Sequence, residues 1–167
     1  MNNLPTQIID LAIQIQQIPA PTFAEGQRGA FVRGLFLKEN LKDVSMDSLG
    51  NVYARLVGKQ KKVKPLIVSA HLDTVFPASV NLQVTRRGPG QKEAEKIVAP
   101  GIGDNSLGVA SLFGILWSLR ERKIELPHDV WFVANVGEEG LGDLRGMRAV
   151  VDRFGKEVIG YLILEGL

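Results

Sequence analysis

Apolar residues recur along the chain with two different periods, one typical of helices and one typical of strands. From Ile8 to Ile18 they follow helical spacing, which ends at Pro19. Three later segments also predict helices, and the middle one is apolar nearly all round: 24–40, 106–122 and 144–154. Asp143 is expected to be the N-cap of the last helix, and Gly155 to lie just past its end. Short apolar runs predict strands over 52–57, 66–70, 130–136 and 158–164.

The alternation of apolar strands with helices predicts an α/β layered fold with a mostly parallel central sheet. The short segments 82–87 and 96–99 are expected to form a hairpin, with its tip at Gly88-Pro89-Gly90. In a sheet of this class, ligands bind beyond the carboxyl ends of the strands. The polar residues at those ends therefore decide the chemistry.

The composition is that of a globular domain rather than of a disordered or fibrous chain. The 167 residues are 45% hydrophobic and 23% charged, with a formal net charge of +2. The absence of Cys excludes disulfide scaffolds, Cys-ligated zinc fingers and thiol nucleophiles. The dense basic run at 59–64 is too short to indicate nucleic-acid binding. Because no secretory signal and no apolar stretch of ~20 residues is found, we expect a soluble, cytoplasmic protein with no nucleic-acid or membrane partner.

Acidic and imidazole side chains follow three of the predicted strands. His71 and Asp73 follow 66–70, Glu138 and Glu139 follow 130–136, and Glu165 follows 161–164, while Asp104 stands at the start of the buried helix. Carboxylates gathered at one edge raise one another's pKa values unless a cation compensates their charge. We therefore expect a bound metal ion at this edge.

The residue types narrow the metal and the roles. Imidazole and carboxylate ligands without thiolate are compatible with Zn²⁺, Mn²⁺ or Co²⁺. Asp73, two residues after His71, can accept the second ring N–H and orient the imidazole. Of the adjacent Glu138 and Glu139, one is expected to bind metal and the other to move protons.

Each feature also has a plainer explanation. A His at a strand end is more often structural than a ligand, Asp104 suits a helix cap, and Glu138-Glu139-Gly140 suits an exposed acidic turn. The glycine-rich segment 101–108 superficially resembles a dinucleotide loop, but its spacing differs from G-x-G-x-x-G and Asp104 would repel a phosphate. Four features at one sheet edge together favour the metal site.

Three sequence blocks carry a family resemblance: HLDTV at 71–75, GDNSLG at 103–108 and GEEGLGD at 137–143. Together they resemble the signature blocks of the M20 family of zinc metallopeptidases and amidohydrolases. That group includes glutamate carboxypeptidase, tripeptide aminopeptidase, acetylornithine deacetylase and succinyl-diaminopimelate desuccinylase. The resemblance implies a three-layer αβα sandwich around a mixed, mostly parallel sheet, as in zinc exopeptidases, here incomplete.

The resemblance also implies roles for six residues. His71 and Glu165 would bind one zinc ion, Glu139 a second, and Asp104 would bridge both. Glu138 would be the general base, Asp73 would orient His71, and the Asp104-Asn105 peptide would be cis. A complete site would hold two Zn²⁺, with Co²⁺ or Mn²⁺ left open.

The family's catalytic domain is built from two segments, and a lid or dimerisation domain lies between them. Residues 1–167 would be the first segment, with the lid domain and the second segment, which supplies a further His ligand, absent. His128 is not expected to replace that ligand, because it precedes its strand and would lie about 25–30 Å from the site edge.

The resulting expectation is a metal-dependent hydrolase of peptide or N-acyl amino-acid amide bonds. This chain by itself would bind metal weakly and be weakly active or inactive. An open sheet edge would favour self-association into a homo-oligomer. The alternative is a non-catalytic binding or assembly module that keeps the fold.

Overall fold

Four helices and seven strands lie within residues 3–60, 63–88 and 96–166, which the computed structural model of the chain describes. The helices are α1 (Leu4–Gln16), α2 (Gly26–Lys38), α3 (Gly108–Glu121) and α4 (Arg145–Phe154). The strands are β1 (Lys42–Met46), β2 (Val52–Leu56), β3 (Leu66–His71), β4 (Thr85–Arg87), β5 (Lys96–Val98), β6 (Val130–Asn135) and β7 (Gly160–Ile163).

The main sheet has five strands in the order β1-β2-β6-β3-β7. β3 runs parallel to both β6 and β7, while β2 runs antiparallel to β1 and β6. Four of its five strands therefore share one direction, as the sequence predicts. The registers pair His71 with Asn135 and Ser69 with Ile163. The carboxyl ends of β3, β6 and β7 consequently meet at one edge.

Helices cover both faces of this sheet. Alternate strand residues such as Val68 and Phe132 pack against α1, α2 and α3, whereas Ile67 and Val133 pack on the other face against Val150 of α4. All five of these side chains are at most 2% exposed. The fold is therefore the expected three-layer αβα sandwich.

The apolar helix α3 lies between the sheet and α1. A Cβ added at Gly114 would come within 2.5 Å of Ile8 Cδ1, so the two helices approach each other more closely than any larger residue would allow. This close packing explains why α3 is apolar nearly all round.

Several local features differ from the sequence expectations. β1 was not predicted, since it is an edge strand with polar, exposed residues such as Lys42 and Asp43. Leu144, not Asp143, occupies the N-cap position of α4, and Asp143 instead accepts a hydrogen bond from Arg148 at 2.7 Å. Gly155 ends that helix at φ 56°, as expected.

β4 and β5 form the predicted antiparallel hairpin. Its predicted tip, Gly88-Pro89-Gly90, lies mostly outside the described residues. No helix among the described residues has both the length and the apolar character that a membrane crossing requires.

Candidate metal centre

The structure brings all six predicted site residues to the edge where β3, β6 and β7 end. His71 Nε2 lies 2.9 Å from Asp104 Oδ1 and 3.2 Å from Glu165 Oε1. Glu138 Oε2 is 4.0 Å from the same ring nitrogen. The potential ligand atoms form two groups, and within each group all the atoms lie within 4.8 Å of one another. One group is His71, Asp104 and Glu165, and the other is His71, Glu138 and Glu139.

The imidazole of His71 is held by the residue two positions further along the strand. Its Nδ1 lies 3.0 Å from the Asp73 carbonyl oxygen and 3.5 Å from Asp73 Oδ1, so the hydrogen bond goes to the carbonyl and the carboxylate stands beside it. With the Nδ1 hydrogen directed there, Nε2 faces the carboxylates of the other segments.

The electrostatics of this pair are strongly coupled. Burial lowers the pKa of His71, but the Asp73 side chain and the charges of Glu165 and Glu138 outweigh it and raise the pKa to about 9. Burial likewise raises the pKa of Asp73, yet hydrogen bonds to its carboxylate bring it down to about 2. At neutral pH the metal-free centre therefore holds a proton on His71, which a metal ion would displace.

Asp73 also holds the loop that carries the two glutamates. Its Oδ1 accepts the backbone N–H of Glu138, and its Oδ2 accepts the N–H of Glu139 and the Thr22 hydroxyl, each at 3.0 Å. We call this arrangement the Asp73 clamp. It ties the ends of β3 and β6 together through one fully buried carboxylate.

Burial raises the pKa values of both Glu138 and Glu139, and neighbouring carboxylates add to the effect. Glu139 Oε1 is buried and has no hydrogen-bond partner among the described residues. An unpaired buried carboxylate oxygen is costly unless a cation or a donor completes it. This oxygen, together with a donor set of one imidazole and several carboxylates, fits a divalent metal such as zinc.

Asp104 is presented by an irregular turn at the start of α3. Within Ile102–Leu107 its φ/ψ of −113°/97° is not helical, and its peptide bond to Asn105 is cis, as the resemblance implied. Asn105 Nδ2 donates to the Leu164 carbonyl at 2.9 Å. This bond joins the turn to the segment that carries Glu165.

Sequence reasoning missed three residues behind the centre, of which Glu25 and Arg28 are buried and Thr22 is half-buried. Glu25 Oε1 accepts the backbone N–H groups of Phe23 and Gly137, at 3.0 and 3.1 Å. Arg28, 1% exposed, donates to the carbonyls of Ile18 and Leu72. The third is Thr22 of the Asp73 clamp. An acidic residue at a helix start is common for local reasons, so the sequence carries no signal for the distant partners of Glu25, and no local pattern marks Arg28 as buried.

His128 lies at the amino end of β6, beside Gly58, at the opposite end of the sheet. As expected, it is not part of the centre.

The model of peptidase family M28 matches residues 51–164. No curated protein sequence matches at a significant level.

Three solved structures show the same fold at low sequence identity. The aminopeptidase PepT from Bacillus cereus has a TM-score of 0.76 and 22% identity, over 98% of this chain and 44% of that one. A tripeptidase from Staphylococcus aureus has a TM-score of 0.70 and 23% identity, over 89% of this chain and 41% of that one. A dinuclear metal-binding peptidase of the M20 family from Bacillus subtilis has a TM-score of 0.63 and 16% identity, over 96% of this chain and 42% of that one. The chain therefore spans less than half the length of each of these proteins.

Proposed function

Because the chain belongs to peptidase family M28 by the match over residues 51–164, we propose that it forms the metal centre of a peptide hydrolase in which Glu138 is the general base. The observation that carries this proposal is the convergence of His71, Asp104 and Glu165, with Glu138 4.0 Å from the shared imidazole nitrogen. Four separate chain segments supply these groups. Helix capping or the solvation of individual side chains does not explain why all four meet at one place.

The substrate class we propose is peptides. The structural neighbours include an aminopeptidase and a tripeptidase, which favours peptides over N-acyl amino acids. Within the metallopeptidases, the blocks at 71–75, 103–108 and 137–143 and the dinuclear neighbour favour an M20-type arrangement of the centre.

His71, Asp104 and Glu165 would hold one metal ion, and Asp104 with Glu139 would face a second. Zinc is the proposed metal, with Co²⁺ and Mn²⁺ compatible with the same donors. The chemistry that such ions supply when bound is Lewis acidity, which polarises an amide carbonyl and acidifies water.

Glu138 has the position and the acidity for proton transfer. Its side chain is 31% exposed and reaches the centre without being one of its closest donors. Burial and nearby carboxylates raise its pKa towards neutrality, where a general base is most effective. Glu138 would take a proton from water as the C–O bond forms and return it to the amine as the C–N bond breaks. No covalent intermediate with the protein is needed.

The relatives' greater length supports a further proposal about organisation. With 44% and 41% of two neighbours covered, we propose that residues 1–167 correspond to the first segment of the catalytic domain. The second metal position would then gain a ligand from outside this segment.

Zinc titration calorimetry on the metal-free chain tests the proposal. We expect binding that Glu165→Gln weakens at least tenfold and that the exposed control Glu157→Gln, 83% exposed, leaves unchanged. Glu138→Gln should keep the zinc affinity but reduce trialanine hydrolysis by about 100-fold or more.

Two results would count against the proposal. A chain that binds no zinc would refute the metal centre. Zinc binding together with trialanine hydrolysis that Glu138→Gln leaves unchanged would refute Glu138 as the general base.

A further inference from the structure

An apolar cavity of about 340 Å³ opens directly beside the metal centre. Residues 21–23, 74–75 and 139–141 line it, and we call it the Phe23 cavity. Its volume lies at the lower end of the range for small-molecule pockets, which suits one side chain of a substrate better than a whole protein segment.

The cavity and the centre share a wall. Glu139 lines the cavity and belongs to the second group of potential metal ligands. Thr22, also in the lining, donates its hydroxyl to the same Asp73 oxygen that accepts the Glu139 N–H. A side chain in the Phe23 cavity would therefore place its own main chain next to the centre.

Large apolar side chains stand open to solvent around the cavity. Phe23 is 56% exposed, Val75 66% and Leu141 91%. Scattered exposed apolar residues are ordinary, but three around one concave site indicate a binding surface.

The aromatic wall is held in place before any ligand arrives. Phe23 has φ 75°, an uncommon conformation for a bulky residue, and its N–H is held by the buried Glu25 carboxylate at 3.0 Å. The Arg145 guanidinium stacks 4.5 Å from the centre of the Phe23 ring. Strained backbone that surrounding structure holds in this way is typical of ligand sites.

We propose that the Phe23 cavity is the subsite for a large apolar side chain of the peptide substrate, of the leucine, methionine or phenylalanine type. The proposal rests on the proposed function and adds its substrate preference. An acidic side chain would meet the carboxylate of Glu139 and a basic one the guanidinium of Arg145, so both are disfavoured.

Binding of amino-acid amides to the chain, followed by NMR with and without zinc, tests this subsite. L-Leucinamide and L-phenylalaninamide should bind at least tenfold more tightly than glycinamide, because burying such a side chain is favourable. The methyl signals of Val75 and Leu141 should shift during the titration.

Substitutions at the cavity rim localise the effect. Leu141→Ser and Val75→Ser should each reduce the preference for leucinamide over glycinamide severalfold. Ile124→Ser is the matched control, since Ile124 is 49% exposed and lies away from the cavity lining. Both rim residues are well exposed, so the substitutions leave the folded core intact.

Equal affinity for the three amides, or rim variants that behave as wild type, would overturn the proposal. So would self-association that Leu141→Ser abolishes, because a second copy of the chain would then be the occupant. Zinc calorimetry on the same samples separates the two proposals. Preference for the apolar amides without zinc binding would refute the proposed function alone. Zinc binding without a preference among the amides would refute the subsite alone.

Discussion

Replacing Asp73 by asparagine should destabilise the chain and weaken its metal centre together. The buried carboxylate of Asp73 accepts the N–H groups of Glu138 and Glu139 and the Thr22 hydroxyl. An amide of the same shape has one acceptor oxygen, so its NH₂ group must face one of these donors. The best placement is towards Thr22, whose hydroxyl can rotate and accept, and this leaves the Glu139 N–H unpaired.

The structure gives the magnitude by two routes. An unpaired buried N–H costs about 1–3 kcal/mol, and about 1 kcal/mol is added for each of the two remaining bonds, because the Glu138 N–H then meets a neutral acceptor and the Thr22 hydroxyl a neutral donor. The fall of the Asp73 pKa from 3.8 to about 2, to which the same hydrogen bonds contribute, corresponds to about 2–3 kcal/mol. We therefore expect Asp73→Asn to lower the free energy of unfolding at pH 7 by about 3–5 kcal/mol.

Urea unfolding of the metal-free chain measures this loss, with Thr22→Val as the control that removes a single donor and costs about 1 kcal/mol. Because a depressed carboxyl pKa stabilises above the unfolded value and is lost as pH falls, the gap between wild type and Asp73→Asn should close between about pH 4 and pH 2. Zinc affinity should also fall by 10–100-fold. A loss below about 1 kcal/mol, or one no larger than that of Thr22→Val, would refute the reasoning.

Four further predictions follow from neighbouring features. Glu25→Ala leaves the buried N–H of Gly137 and the partly buried N–H of Phe23 unpaired and should cost about 2–4 kcal/mol in urea unfolding. Glu25→Gln should cost much less, and equal losses for the two variants would contradict this. Arg28→Met should cost a similar amount by the same measurement, because two buried carbonyls lose their donor, and a neutral effect would contradict it. The pKa of His71 is raised from 6.5 to about 9, so its protonation contributes stability that is complete below about pH 6.5 and is lost as the pH rises through 9. Zinc binding at pH 7 should therefore release about one proton, measured by calorimetry in buffers of different ionisation enthalpy. Zinc binding without proton release would contradict this. Leu162→Lys, on the edge strand β7, should reduce self-association in sedimentation velocity, and unchanged association would exclude that edge.

Much of the fold could be predicted because its central strands are apolar on both faces. The runs at 66–70 and 130–136 correspond to β3 and β6, since buried parallel strands need apolar side chains on both sides. The run at 158–164 corresponds to β7, an edge strand that is apolar although Leu162 and Ile163 are exposed. The sequence did not predict β1, because an edge strand tolerates polar, exposed residues. The Asp143 N-cap was wrong because two consecutive residues, Asp143 and Leu144, take positive φ before α4 begins.

The candidate site was predictable for a different reason. Each of its residues follows directly on a strand or precedes a helix, so topology alone brings His71, Glu138 and Glu165 to one edge. The supporting residues could not be found this way, because Glu25 reaches Gly137 across 112 positions of sequence. Contacts of that range depend on how α2 packs against the sheet, which no local pattern encodes.

The Asp73 clamp fixes one part of the loop that follows β6 and leaves the next part, at the wall of the Phe23 cavity, unclamped. The position of Glu138 is set by the Asp73 carboxylate, just past the end of β3, through the N–H groups of Glu138 and Glu139. Gly140 and Leu141, at the wall of the Phe23 cavity, lie just beyond the clamped part. Under the proposed function, exchanging the tip of this loop would alter which peptides bind without displacing Glu138. Substrate selection and proton transfer would then be able to change independently within the four residues 138–141.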